Sequence, residues 1–338
     1  MALECYTMKQ KTIDDIALEA GVSKATVSRV LSNPKIVSEK TRLKVLSIME
    51  KHAYIPNHLA QGLAGTATKT IGVVIDELSN FFFIEIAEGI DVVLDSHEYS
   101  MLISSSRWVE ERETRLVRSL ISSRVDGVLL APVSAQPKAV ELLQRANIPF
   151  VLINCIPEDK GISFVSCDNH EGGRIAAEFI NTHPRQQTIV ITGFTHQSIE
   201  HRLEGLYEKI DPTVDLKHYS KIKTQEEGYD LVPILIRDDG INRIPTTLFV
   251  TNDNVAIGII NRLVELKISI PDQISILGYD NIRIAASCRV PLTTISQSSV
   301  EMGRLATEML LHLIKNKEKH EVLQHLIEPK LISRESGE

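Results

Sequence analysis

Two groups of side chains in this chain have types and spacing that could do chemistry. The first is compact. Lys24, Ala25, Thr26, Ser28 and Arg29 fall on one face of a helical stretch whose other face is Val22, Val27, Val30 and Leu31. Small, hydroxylic and cationic residues can enter the DNA major groove without steric conflict and reach phosphates and base edges. A solvated helix in an ordinary bundle is the plainer alternative. The second group is dispersed: Asp76, Asn80, Phe81, Trp108, Arg202, Asn252, Asp253 and Asp280. Carboxylates accept hydroxyl hydrogen bonds and a guanidinium offers a fork of donors, so Asn, Asp and Arg suit a polyhydroxylated ligand. Aromatic rings could stack on it.

The first group needs a scaffold of short helices. Ile13, Ile16, Ala17 and Ala20 recur at helical spacing after Thr12, which stands at an N-cap position. Gly21 suits the positive φ of a tight turn, and Ser23 can cap the next helix. Ser32-Asn33-Pro34 breaks the pattern. Ser38 then caps a third helix over residues 38–53, whose Val45, Leu46, Ile48 and Met49 are expected to close a small core. Tyr54-Ile55-Pro56-Asn57 ends it. The stretch from Asn57 to Gly65 carries Leu59 and Leu63 at i and i+4 but is too short to hold a helix alone in water. We expect a hinge, helical only when docked; a plain linker is the alternative.

From Thr70 onward, short apolar runs alternate with longer helical stretches. Strands are expected at 71–75, 101–104, 127–130, 150–153, 188–191, 247–250 and 274–277, with a late return at 292–295. Helices are expected near 82–96, 109–123, 137–146, 169–181, 198–210, 225–237 and 253–267, with a last one ending near 315. Apolar strands with helical crossovers mean parallel sheets covered on both faces, and this number suggests two of them. In such sheets, ligands sit beyond the carboxyl ends of strands, where most of the dispersed group falls. Each member has a plainer alternative: a helix cap for Asn252-Asp253, a turn carboxylate for Asp280, a surface ion pair for Arg202, core packing for Phe81 or Phe83.

The chain has 338 residues, 43% of them hydrophobic, and a net charge of −7. Residues 1–60 hold nine Lys/Arg against six Asp/Glu, so this part is +3 and the remainder −10. A basic module on an acidic body fits a reader of double-stranded DNA. No apolar run approaches the roughly 18 residues that span a bilayer, and the N-terminus lacks the apolar core of a secretion signal. Cys5, Cys155, Cys167 and Cys288 have no zinc-ligand spacing, so we expect reduced thiols in a cytoplasmic protein, no metal and no membrane. There is no GxSxG, HExxH or GxGxxG; GLAGTATKT lacks the glycines of a phosphate loop. His196 and His201, five apart, fall on different helix faces and are expected as surface or cleft polar residues. No catalytic residue or cofactor is expected.

The run DIALEAGVSKATVSRVLSNP, with VSEKTRLKVLSIMEKHAYIPNHLAQGLAG behind it, resembles the DNA-binding headpiece of the lactose/galactose repressor (LacI/GalR) family. The markers IGVVIDELSNFFFIEIAEGID, RVDGVLLAP, HRLEG, LFVTNDNVAIG, IPDQISILGYDN and PLTTISQ are similar to its effector-binding core, and the likeness covers residues 9 to 333. The resemblance implies an all-α helix-turn-helix headpiece (1–56), a hinge (57–69) and an α/β core (70–338) like periplasmic sugar-binding proteins of type I. It implies two parallel-sheet subdomains, about 70–167 with 290–325 and 168–289 with 326–338, so that the chain crosses near Cys167, Arg289 and residue 325. It implies DNA contacts at Thr12, Ser23, Lys24, Ala25, Thr26, Ser28, Arg29, Asn33 and Asn57, with Leu63 wedged into a minor-groove base step. It also implies effector contacts in the cleft at Arg202, Asn252, Asp253 and Asp280. The family's usual Asn-Pro-Phe-Phe stands here as Asn80-Phe81-Phe82-Phe83, without the proline.

The expected function is a repressor of a sugar-utilisation operon, acting as a homodimer on a palindromic operator and switched by a sugar-like effector. The polar tail LISRESGE has no heptads for a further C-terminal bundle. A sugar-binding protein without DNA function and an α/β enzyme are the alternatives.

Overall fold

The computed structural model describes residues 11–32, 34–54, 67–193 and 196–337, with the Ser32 side chain left aside. The expectations for Asn33, Asn57, Leu63 and most of the hinge lie outside these residues. The chain forms two compact units, Met1–Thr68 and Lys69–Glu338.

The first unit contains α1 (Ile13–Ala20), α2 (Lys24–Ser32) and α3 (Glu39–Lys51). Thr12 closes a capping box on α1: its Oγ1 accepts from Asp15 N–H at 3.3 Å, while Asp15 Oδ2 accepts from Thr12 N–H at 2.8 Å. Gly21 ends the helix at φ +66°, a left-handed value that a Cβ would strain. Ser23 Oγ accepts from Thr26 N–H at 3.2 Å at the head of α2, and Ser38 caps α3. Ile16, Ala17, Ala20, Val27, Val30, Val45 and Met49 make the core. Leu46, expected inside, is 41% exposed. It follows Val45 by one residue, about 100° around the helix, and cannot share its buried face.

The second unit holds two six-stranded sheets. The first comprises β1 (Thr70–Ile75), β2 (Ser100–Ser105), β3 (Gly127–Leu130), β4 (Phe150–Ile153), β5 (Phe164–Cys167) and β11 (Gln324–Ile327), ordered β11-β5-β4-β3-β1-β2. The second comprises β6 (Gln187–Ile191), β7 (Leu216–Tyr219), β8 (Thr246–Val250), β9 (Ile274–Asp280), β10 (Thr293–Ser296) and β12 (Lys330–Ile332), ordered β12-β10-β9-β8-β6-β7. Every pairing is parallel except β12 on β10. The connecting helices are α4 (Phe81–Ser96), α5 (Glu110–Ser122), α6 (Lys138–Arg145), α7 (Asn169–Thr182), α8 (Gln197–Lys209), α9 (Gln225–Asp239), α10 (Asp253–Glu265) and α11 (Ser299–Lys315).

Strands β5, β7, β11 and β12 were not expected; β5 is interior and fully buried, with Ser166 interrupting its apolar residues. β7, β11 and β12 are short and partly exposed, and β7, β11 and β12 close sheet edges, so they do not need two apolar faces. The chain crosses between sheets after Cys167, after Ser296 and after Ile327. The second crossing was expected near Arg289 and comes later. Thr293–Ser296 pairs in parallel with Leu277–Asp280, so the chain adds β10 to the second sheet before α11 returns to pack on the first.

Candidate effector site and DNA-facing helix

The carboxyl ends of both sheets border one pocket. From the first sheet's side it is lined by Asn80, Phe82, Phe83, Trp108 and Asn154; from the second by His196, Ser198, Arg202, Thr251, Asn252 and Asp280. Gln297, at the second crossing, also faces it.

Arg202 is the site's centre of charge. Its residue is 3% exposed, so the plainer alternative of a surface ion pair does not hold. Nε donates to Asn169 Oδ1 at 2.8 Å and Nη1 to the Thr251 carbonyl at 2.7 Å. The guanidinium lies 3.6 Å over the Tyr279 ring. Tyr279 fits there because Gly172 of α7 has no side chain: a Cβ would stand 1.9 Å from the phenol oxygen. Nη2 approaches Asp280 Oδ1 at 4.0 Å.

Asp280 ends β9 at φ +121°, an unusual value for a residue with a Cβ. Its carboxylate accepts from Gln297 Nε2 at 2.6 Å and from Asn252 Nδ2 at 3.1 Å. Burial pushes its pKa up to about 7 against the opposing pull of Arg202 and Gln297. Among the described residues, two buried acceptors lining the pocket have no donor: Gln297 Oε1 and Asn154 Oδ1. A bound molecule with hydroxyl or amine groups would satisfy both.

Three aromatic rings also border the pocket, Phe83 and Trp108 from the first sheet's side and His196 from the second's. Trp108 meets Phe83 edge to face at 6.4 Å and His196 at 5.5 Å. His196 caps α8: its Nδ1 lies 3.3 Å from Ser198 N–H and accepts from it, leaving Nε2 to donate to the Pro132 carbonyl at 3.3 Å. That arrangement requires neutral imidazole, and burial lowers its pKa to about 4.

Asn80, Trp108, Arg202, Asn252 and Asp280 therefore converge on one pocket, and three other candidates do not line it. Asp76 is buried, accepting from the Ser106 hydroxyl at 3.3 Å. Burial and the neighbouring Glu113 hold its carboxyl well above the usual range. Phe81 opens α4 and is 45% exposed; Phe82 and Phe83 turn inward instead. Asp253 lies beneath the floor, accepting from the Thr294 hydroxyl at 2.7 Å and Ile282 N–H at 3.1 Å. Its carboxyl is likewise raised, by burial first and by Asp280 second. Asn154 and Gln297 were missed, although both follow strands (β4 and β10) and so satisfy the rule that selected the others. His196 needed the fold, since nothing in its sequence context places it against Trp108.

In the first unit, Lys24, Ala25 and Arg29 are exposed on α2, with Thr26 and Ser28 half-buried. Lys24 Nζ lies 3.0 Å from Asp14 in an exposed ion pair, one that a phosphate can displace at small cost. Thr12 and Ser23 are exposed, and both act as caps. Among the described residues, no cluster of three His, Cys, Asp or Glu is placed to hold a metal ion, and no helix is long and apolar enough to cross a membrane.

Residues 12–57 match the description "Bacterial regulatory proteins, lacI family", and residues 174–337 match "Periplasmic binding protein-like domain". The chain is 30% identical to the HTH-type transcriptional repressor PurR of Vibrio campbellii over 96% of its own length and 97% of the relative's. It is similar to the Lac repressor dimer bound to operator and the anti-inducer ONPF, at a TM-score of 0.80 and 27% identity, covering 97% of this chain and 99% of that one. It is also similar to a LacI family regulator from Enterococcus faecalis with bound ribose, at a TM-score of 0.71 and 27% identity, covering 79% of this chain and 98% of the other.

Proposed function

Because the chain belongs to the LacI family of bacterial transcriptional regulators, a DNA-binding repressor with a ligand-binding core, we propose that its effector is a small sugar or sugar derivative bound in the pocket around Arg202 and Asp280. One observation carries this reading. A buried guanidinium, a buried carboxylate and two amide oxygens with no donor among the described residues line one pocket together with the rings of Phe83, Trp108 and His196. A sugar ring presents an apolar face to such rings and hydroxyls, which both donate and accept, to the polar groups. A flat base would be held best between two parallel rings, whereas Trp108 meets both Phe83 and His196 edge to face.

The regulator acts as a homodimer, since two headpieces match two half-sites of a palindrome. Lys24, Ala25, Thr26, Ser28 and Arg29 enter the major groove, and Leu63 wedges at the operator centre, where only a deformable step admits it. The regulated genes are those of sugar utilisation. A thermal-shift screen of neutral sugars, sugar phosphates and nucleosides tests the effector class. A neutral sugar at 100-fold its Kd stabilises the core by about 2.7 kcal/mol. Stabilisation by nucleosides with no response to any sugar would refute the reading.

A further inference from the structure

Gln197 stands at the start of α8, just outside the pocket wall, and is half-buried. Its side-chain amide pairs with one peptide unit of the facing half. Nε2 donates to the Ile156 carbonyl at 2.8 Å, and Oε1 accepts from Ile156 N–H at 2.9 Å. This two-point pairing has the donor–acceptor match of a strand ladder, made by a side chain. Ile156 follows β4 of the first sheet, while α8 packs against α7 and belongs to the second. The bonds therefore join halves that are also tied by the three crossings and by Arg283, whose N–H donates to Glu85 Oε1 at 2.6 Å and whose guanidinium donates to Glu88 Oε2 at 2.7 Å. The same rim holds His196 Nε2 against the Pro132 carbonyl, a single bond at 3.3 Å. The Asn254 amide donates to Asn80 Oδ1 at 2.8 Å in another contact between the halves.

We propose that Gln197 is a positioning residue for effector binding: it latches the two halves closed over the pocket without touching the bound molecule. The inference rests on the pocket being the effector site. Arg202, Asn252 and Asp280 come from one half and Asn154, Phe83 and Trp108 from the other, so a ligand touching both walls binds the closed form. Entry requires the halves to part, and the latch sets how often they do. Two hydrogen bonds of ordinary net strength shift such an equilibrium roughly 5- to 150-fold.

Cys155 reports the opening. It precedes Ile156, is 1% exposed, and its thiol donates to Gln197 Oε1 at 3.7 Å. The rate at which N-ethylmaleimide modifies Cys155 in the full-length chain, read by peptide mass spectrometry, follows the open population even when that population is small. Gln197→Ala removes the latch and is expected to raise the rate by roughly 5- to 150-fold. Because alanine also uncovers the thiol directly, Gln197→Glu is the deciding variant. Glutamate keeps the bulk over Cys155 and the acceptor for Ile156 N–H, but sets a carboxylate against the Ile156 carbonyl. The latch predicts faster modification in both variants at neutral pH. A rise in Gln197→Ala alone, or in neither, overturns it. No effector enters the experiment, so its outcome is separate from that of the sugar screen.

Discussion

Asp280 holds a nearly buried carboxyl, and its proton is part of the fold's energetics. Its pKa is near 7 in the folded chain against an ordinary 3.8. Between those values the folded state holds a proton that the unfolded state has released. Stability from this group is therefore present at low pH and is lost as pH rises from about 4 through 7, by at most about 1.4 kcal/mol per pH unit. His196 acts in the opposite sense: its pKa of about 4 means that stability falls as pH drops from 6.5 towards 4. Urea denaturation of the wild type and of Asp280→Asn across pH 4–8 separates the two. The wild type should gain on the variant as pH falls from 7; a constant difference would show that Asp280 does not hold this proton.

At the scale of elements, the approach of α7 to β9 decides whether Arg202 has a platform. Gly172 lets Tyr279 lie flat beneath the guanidinium, and Gly173 brings α8 in as closely, since a Cβ there would stand 2.0 Å from the Arg202 carbonyl. Gly172→Ala must displace the Tyr279 ring, with a cost of about 1–3 kcal/mol for overpacking. The urea midpoint should drop accordingly, with effector affinity weakened more than in a surface glycine variant. An unchanged midpoint would mean the ring moves freely. In the first unit, α2 is presented by the Gly21 turn and the Ser23 cap, which leave Arg29 exposed. Arg29→Ala is expected to cost about 1–3 kcal/mol of operator affinity if it reads a base, or to reduce the salt slope by about one if it holds a phosphate. Effector binding should not change. Operator affinity equal to the wild type at matched salt would take Arg29 out of the interface.

At the scale of the whole molecule, the proposal is a coupling between effector and operator. Effector binding that favours one arrangement of the core's halves should change operator affinity by roughly 5- to 150-fold, a typical allosteric coupling. Operator DNA must then change effector affinity by the same factor, because the linkage is reciprocal. Titrating each ligand in the presence and absence of the other measures both sides of the cycle. Operator affinity that stays constant while effector saturates the pocket would separate the two activities.

What the sequence determines by itself is local. Thr12, Gly21, Ser23 and Ser38 punctuate the helices through bonds made within a few residues, and all four act where their types suggested. Interior strands such as 127–130 and 150–153 are legible because burial on both faces demands an unbroken apolar run. The edge strands β7, β11 and β12 make no such demand, and the pattern showed the strand at 292–295 without showing that it belongs to the second sheet. Only the tertiary structure decides which polar groups share the pocket. Asp253 and Asp280 are both acids just past or at strand ends, yet one is consumed by Thr294 and Ile282 while the other faces Arg202. Phe81 and Phe82 are neighbours that the helical turn sends to opposite environments. Asn154 and His196 lie 42 positions apart and border the same pocket because strand ends from two sheets meet there. Caps and apolar runs are short-range signals; convergence on a cavity depends on contacts between residues far apart in the chain, which no local pattern encodes.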